Sequence, residues 1–151
     1  MISKLTEEQI EEILNKNVLG RIGCNDGNRT YVVPINYVYD GKNIIGHSME
    51  GMKIVMMRKN PEVCFGVDEM KSITKWRSVI AWGQYQELTN ERDRYYAMKL
   101  FADRMMQIKI SEPSNHLNVS ADRIIPKFQK NSRSVIYRII ITEKTGRSEN
   151  E

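Results

Sequence analysis

Between Val18 and Ser48 the chain leaves helical spacing for three short apolar runs, Val18–Cys24, Thr30–Tyr39 and Asn43–Ser48, parted by Asp26-Gly27-Asn28 and by Asp40-Gly41. A tight hairpin wants positive φ at its centre, which Asp-Gly adopts at little steric cost, so the second and third runs read as adjacent antiparallel strands. Pro34 lies inside the second run and has no N–H for a ladder. That strand must be at an edge, be bulged, or face something other than a strand there, such as a ligand.

Ahead of the meander, Thr6-Glu7-Glu8-Gln9 has the form of a capping box, and Ile10, Ile13, Leu14 and Val18 recur at helical spacing. Residues 1–17 therefore read as an amphipathic amino-terminal helix. Gly51–Lys59 reads as a brief helix with Ile54, Val55, Met56 and Met57 inward, stopped by Asn60-Pro61. Glu62–Asp68 alternates as a fourth strand, the polar and basic Glu69–Arg77 reads as an exposed loop, and Ser78–Leu88 is a fifth strand interrupted by Gly83. Thr89-Asn90 caps a helix from Glu91 to about Ile108, whose stripe of Tyr95, Met98, Leu100, Phe101, Met105 and Met106 is wide enough to lie on a sheet. Lys109–Asn131, broken by Pro113 and Pro126, reads as loop with short ordered pieces; Ser134–Thr142 is a sixth strand, and 145–151 a flexible tail. Six strands without regular strand–helix alternation, and without G-x-G-x-x-G, indicate one mainly β domain over 1–151, a mostly antiparallel barrel and not a dinucleotide-binding α/β sheet.

With 40% apolar and 28% charged residues, the chain supports a single core. Its net charge of +4 suits an anionic small ligand as well as nucleic acid. The basic residues Lys71, Lys75, Arg77, Lys127, Lys130 and Arg133 read as a solvated face, because a nucleic-acid patch would interleave aromatics and carry a larger excess. No window approaches the roughly 18–20 apolar residues of a membrane helix, and the acidic amino end does not resemble a signal peptide. Cys24 and Cys64 lie in apolar runs and read as buried thiols, which places the protein in a reducing cytoplasm. No C-x-x-C or H-x-x-x-H spacing is present, so no metal is expected.

The segment Gly46-His47-Ser48-Met49-Glu50-Gly51-Met52-Lys53 ends a strand, turns through glycine and opens a helix. It presents a hydroxyl, unsatisfied helix N–H groups and an ammonium together, the parts of a phosphate site. A surface turn before an ordinary helical lysine is the plainer alternative. His47 is the candidate catalytic residue, as a proton donor or substrate holder; as a hydrogen-bonding wall it would be structural or orient a cofactor. Trp76 and Trp82 either stack on a ring or fill an interface, and His116 takes no role.

The runs Tyr31-Val32-Val33-Pro34-Ile35-Asn36-Tyr37, Tyr39-Asp40-Gly41, Gly46-His47-Ser48 with Gly51-Met52-Lys53, Asn60-Pro61-Glu62-Val63-Cys64-Phe65, and Trp76-Arg77-Ser78-Val79 with Gly83 occur in order. Together they resemble the pyridoxamine 5′-phosphate oxidase-related FMN-binding split barrels, with the closest likeness to the nitroimidazole-resistance flavoproteins. The resemblance covers roughly residues 18–147. It implies a six-stranded antiparallel split barrel of Greek-key type that pairs into a homodimer, with FMN in clefts at the subunit interface. Lys53 matches the phosphate-binding lysine, with His47, Ser48, Gly51 and Met52 on the same turn; Met52 stands where more basic members have arginine. Val33, Pro34, Ile35 and Asn36 match the strand along the isoalloxazine ring, and Ser78 and Val79 the strand at its polar edge.

Two departures from that family bear on activity. The chain ends Thr145-Gly146-Arg147-Ser148 without the arginine-containing segment that grips substrate in vitamin B6 oxidases, and Tyr31 and Asn36 replace basic substrate-side residues. Pyridoxamine phosphate oxidation is not expected. The resemblance instead implies an FMN-dependent oxidoreductase that reduces nitro compounds or similar small acceptors, fed by NAD(P)H or another donor. A flavin-binding module for storage or sensing and a haem-binding split barrel are the alternatives.

Overall fold

The computed structural model describes residues 1–111 and 134–150. These form β1 (Ile2–Lys4), α1 (Glu7–Lys16), β2 (Leu19–Asn25), β3 (Thr30–Tyr39), β4 (Asn43–Met49), α2 (Met52–Lys59), β5 (Glu62–Ser72), β6 (Lys75–Glu87), α3 (Glu91–Ser111) and β7 (Ser134–Asn150). The strand order is β1-β7-β4-β3-β2-β5-β6, all antiparallel, and β6 pairs back onto β7. Six strands are thus linked in a ring, the mainly β architecture expected from the meander. The β3–β4 turn is Gly41-Lys42, not Asp40-Gly41: Asp40 N–H donates to Asn43 O (3.2 Å), and only Gly41 has positive φ, 96°. The Asp40 carboxylate accepts from the Lys42 and Asn43 N–H groups (2.8 and 2.6 Å).

Several boundaries differ from the sequence reading. The expected loop Glu69–Arg77 is the end of a long hairpin, paired from Glu69↔Arg77 to Ser72↔Lys75. It lacks apolar alternation because it overruns the core, and an Arg77–Glu69 ion pair (2.6 Å) holds it. The expected flexible tail is strand to Asn150, paired with β6 on one edge and with the unforeseen β1 on the other. Lys109–Ser111 continue α3; the rest of the expected 109–131 loop, with His116, lies outside the described residues.

The capping box forms: Gln9 N–H donates to Thr6 Oγ1 (3.2 Å), and Thr6 N–H to Gln9 Oε1 (2.9 Å). It sets Ile10, Ile13 and Leu14 of α1 into the barrel core, and Ile54, Met56 and Met57 of α2 enter the same core beside the far end of β2. Val55, expected inward, is exposed. A second core lies between α3 and the outer side of β3, β4 and β7: Val38, Ile45, Ala97, Met98, Phe101 and Ile136. Tyr95 and Leu100 fall outside that stripe and are exposed, because the sheet covers a narrower arc of α3 than expected. Cys24 is buried, but Cys64 on the outer face is only half-buried.

The Tyr137 hydroxyl is buried with no hydrogen-bond partner among the described residues. Burying an unpaired hydroxyl costs about 1–3 kcal/mol. Tyr137→Phe is therefore expected to leave stability unchanged or raise it by about 1 kcal/mol, read from urea unfolding midpoints; a clear loss would reveal a partner for that oxygen.

Candidate functional site

β3 and β4 pair only at Tyr37↔Gly46, Val38↔Ile45 and Tyr39↔Ile44. Beyond that point β3 follows β2 to Thr30, whereas β4 follows β7 to Met49. The strands part between Asn36 and His47, which, among the described residues, leaves the edge of β3 from Thr30 to Asn36 with a strand neighbour on one side. Tyr37 N–H donates to Val18 O (2.9 Å), which sets the phase of the ladder. Odd residues of β3 turn their backbone groups to β2 and even residues turn theirs to the open side. The open edge carries the N–H groups of Val32 and Asn36 and the carbonyls of Val32, Pro34 and Asn36. Pro34 falls where its missing N–H breaks no ladder bond.

This phase turns the backbone groups of two of the expected contact residues away from the open edge. Val33 and Ile35 spend their backbone groups on β2, and their side chains pack on the barrel core. Pro34 and Asn36 do lie along the open edge, and Asn36 is exposed. Tyr31 is half-buried against the core, away from this edge.

At the far side of the opening, Gly51 is the N-cap of α2 and makes no side-chain cap. Val55 N–H is the first to be satisfied within the helix, by Gly51 O (3.1 Å), so the N–H groups of Met52, Lys53 and Ile54 precede the intrahelical ladder. Lys53 is half-buried and makes no ion pair among the described residues. Burial holds its ammonium below the ordinary value. A half-buried cation beside an uncapped helix start is an arrangement that could hold an anion. Met52 is exposed on the first turn. Ser48 is buried, and its hydroxyl proton is spent on Met49 O (2.8 Å).

The turn is pinned from outside. Arg58 of α2 makes a bidentate pair with Glu50 (2.9 and 2.7 Å) and reaches Glu87 at the end of β6 (2.8 Å). Tyr85 Oη donates to the same Glu87 carboxylate (2.7 Å). Such a network fixes geometry more than it adds stability, since its charges are solvated.

His47 faces α3. Its Nε2 lies 2.6 Å from Ser134 Oγ, and its ring centroid is 6.3 Å from that of Phe101. Arg94, which the sequence reading missed, donates to the carbonyls of Leu88 (3.2 Å) and Ser134 (3.4 Å) and thereby ties the β6–α3 junction to the start of β7. Nothing in its spacing marks it, because its role arises only when α3 docks on the sheet. Burial, then Arg94 and Lys53, hold the His47 imidazole below its ordinary 6.5, which keeps it neutral at neutral pH. Below about pH 6.5 the unfolded chain takes up this proton before the folded one, so stability falls as pH falls through that window. His47→Gln is expected to flatten the decline between about pH 7 and about pH 5.5, measured by urea midpoints; an unchanged slope would assign it to other groups.

Ser78 and Val79 are not brought to this opening. Ser78 pairs with Asp68, beyond the Gly66↔Arg21 contact, whereas Lys53 sits near Cys24 at the other end of β2. Val79 is wholly buried inside the barrel.

A family model described as pyridoxamine 5′-phosphate oxidase matches residues 6–148. An uncharacterized protein of Rhizobium meliloti (strain 1021) is 36% identical over 84 residues, 56% of this chain and 56% of that protein; the match spans little more than half of that curated relative. Among solved structures, an FAD-binding protein from Mesorhizobium loti is 26% identical with a TM-score of 0.76, covering 99% of each chain. A Bacteroides thetaiotaomicron protein provisionally described as a 5-nitroimidazole antibiotic resistance protein is 17% identical, with a TM-score of 0.71 and coverage of 98% of this chain and 87% of that one. An FAD-binding protein from Mycobacterium smegmatis is 21% identical, with a TM-score of 0.65 and 98% of each chain covered. The last two show the shared fold. No helix among the described residues is long and apolar enough to cross a membrane.

Proposed function

Because this chain belongs to the pyridoxamine 5′-phosphate oxidase family, we propose that it is an FMN-dependent oxidoreductase of the cytoplasm, acting on nitro compounds or similar small acceptors. One observation carries the reading: Lys53 and the uncapped start of α2 stand across an opening from a strand edge that is unpaired among the described residues. The residues present fit a flavin phosphate at Lys53 and Gly51–Met52, and a ring along Pro34 and Asn36. Bound flavin supplies hydride and electron transfer. The protein's part is to hold the phosphate and the ring edge, with neutral His47, fixed by Ser134, keeping the wall of the opening in place. Asn36, uncharged at the mouth, favours an acceptor without a second phosphate.

The reading also needs a second copy. Lys53 and Ser78 lie at opposite ends of β2, so if both serve one flavin, Ser78 comes from a partner subunit. The outer face supports such pairing. Register aligns Val32, Gly23, Cys64 and Trp82 in one row, and Pro34, Arg21, Gly66 and Ile80 in the next. Val32, Trp82 and Ile80 are exposed there. A mostly apolar face of this kind, broken by glycines and by Arg21, suits a homodimer.

FAD is a second reading. The Mesorhizobium loti protein described as FAD-binding is similar over the whole chain, and a groove of about 350 Å³ beside Met52, lined also by Asn28, Arg29 and Val55, offers room next to the phosphate position. An absorption spectrum with mass spectrometry of the released chromophore separates FMN, FAD and haem. Anaerobic bleaching by NADH or NADPH, with colour restored by a nitroimidazole, is the expected result; a flavin that no donor bleaches would make this a binding module.

A further inference from the structure

At the end of the barrel away from Lys53, β5, β6 and β7 overrun the core and curve under α1 around a cavity of about 240 Å³. Leu5 and Trp76 supply apolar walls, and Lys16, Lys71, Lys75 and Arg77 supply four cations against the two carboxylates of Glu69 and Glu149. Both carboxylates are already engaged. Glu69 accepts from Arg77 (2.6 Å) and from Asn17 (2.9 Å), and Glu149 accepts from Trp76 Nε1 (3.0 Å). Lys71 and Lys75 make no ion pair among the described residues. Lys16 also pairs with Glu69 (3.8 Å) and Arg77 with Glu12 (3.5 Å), so the surplus positive charge among the described residues rests on Lys71 and Lys75, beside an indole whose N–H is fixed by its own hydrogen bond.

We propose that this cup is a second ligand site, for a compact planar organic anion such as an aromatic dicarboxylate. The volume admits about one ring with its substituents and excludes a nucleotide or polymer. Lys71 and Lys75 stand near the rim at the tip of the β5–β6 hairpin, where both reach a carboxylate without breaking an existing pair. Neutral rings would gain only the apolar walls. The cup lies at the opposite end of β2 from Lys53 of the same chain, and its lining does not include Ser78.

The test is a ¹H–¹⁵N titration of the whole purified protein, flavin-loaded where flavin is bound, with benzene-1,2-dicarboxylate as probe and benzamide as neutral control. Trp76→Phe assigns the indole resonance. The Trp76 signal is expected to shift saturably with the dianion, at least about tenfold more tightly than with benzamide, while that of Trp82 stays in place. Lys71→Ala with Lys75→Ala should weaken the dianion about tenfold or more with the flavin spectrum unchanged. No saturable shift, an equal response to benzamide, or undiminished affinity in the double variant would overturn the proposal.

Discussion

Lys53→Ala is expected to weaken FMN about tenfold to a hundredfold and riboflavin less than about twofold. Only FMN carries the phosphate that the ammonium would meet, and a charge-assisted hydrogen bond contributes about 1.5–3 kcal/mol. The helix N–H groups remain in the variant, which is why the loss stops short of abolishing binding. Fluorescence titration of the stripped protein with each ligand measures the difference. Equal loss for both would place the phosphate elsewhere. Removing a half-buried, unpaired cation also relieves a desolvation cost, so the variant should be at least as stable as the parent without ligand.

Gly83→Ala should produce the largest loss of stability. A Cβ there would lie 2.3 Å from Ile140 O and 2.9 Å from Ile139 Cγ2. The close approach occurs where the β6–β7 register shifts, between Trp82 and Gly83. The offending atom is backbone of a neighbouring strand, so relief requires parting the pairing that links the six-stranded ring. A cost of about 3 kcal/mol, or a Tm lowered by about 10 °C, is expected. Gly51→Ala is the control: its nearest neighbour would be Met49 O at 4.0 Å, and its stability should stay within about 0.5 kcal/mol. Similar losses in both would mean that the β6–β7 contact is not the cause.

What could be read from the residues alone follows from how local each signal is. The meander, the capping box at Thr6 and the Asn60-Pro61 stop depend on near neighbours, and each stands where the pattern placed it, with the β3–β4 turn displaced by one residue. The overrunning ends of β5, β6 and β7 were missed because strands held by Glu69–Arg77 and by flanking strands show no apolar alternation. The helix start at Gly51–Lys53 was legible because a glycine turn before a helical run announces it. The phase of β3 was not: whether Pro34 or Val33 offers its backbone outward depends on which residues β2 selects. Arg94 and Ser134 come together only through the docking of α3, forty residues apart in the chain.

The flank of β3 that no described strand covers has a consequence for handling the molecule. Unsatisfied strand margins recruit other strands, and nothing in Val32-Val33-Pro34-Ile35 except the proline discourages a visitor from stacking there. On the proposed reading a flavin lying along that flank would act as its cover as well as its cargo, so preparations stripped of flavin are the ones in which clumping should begin.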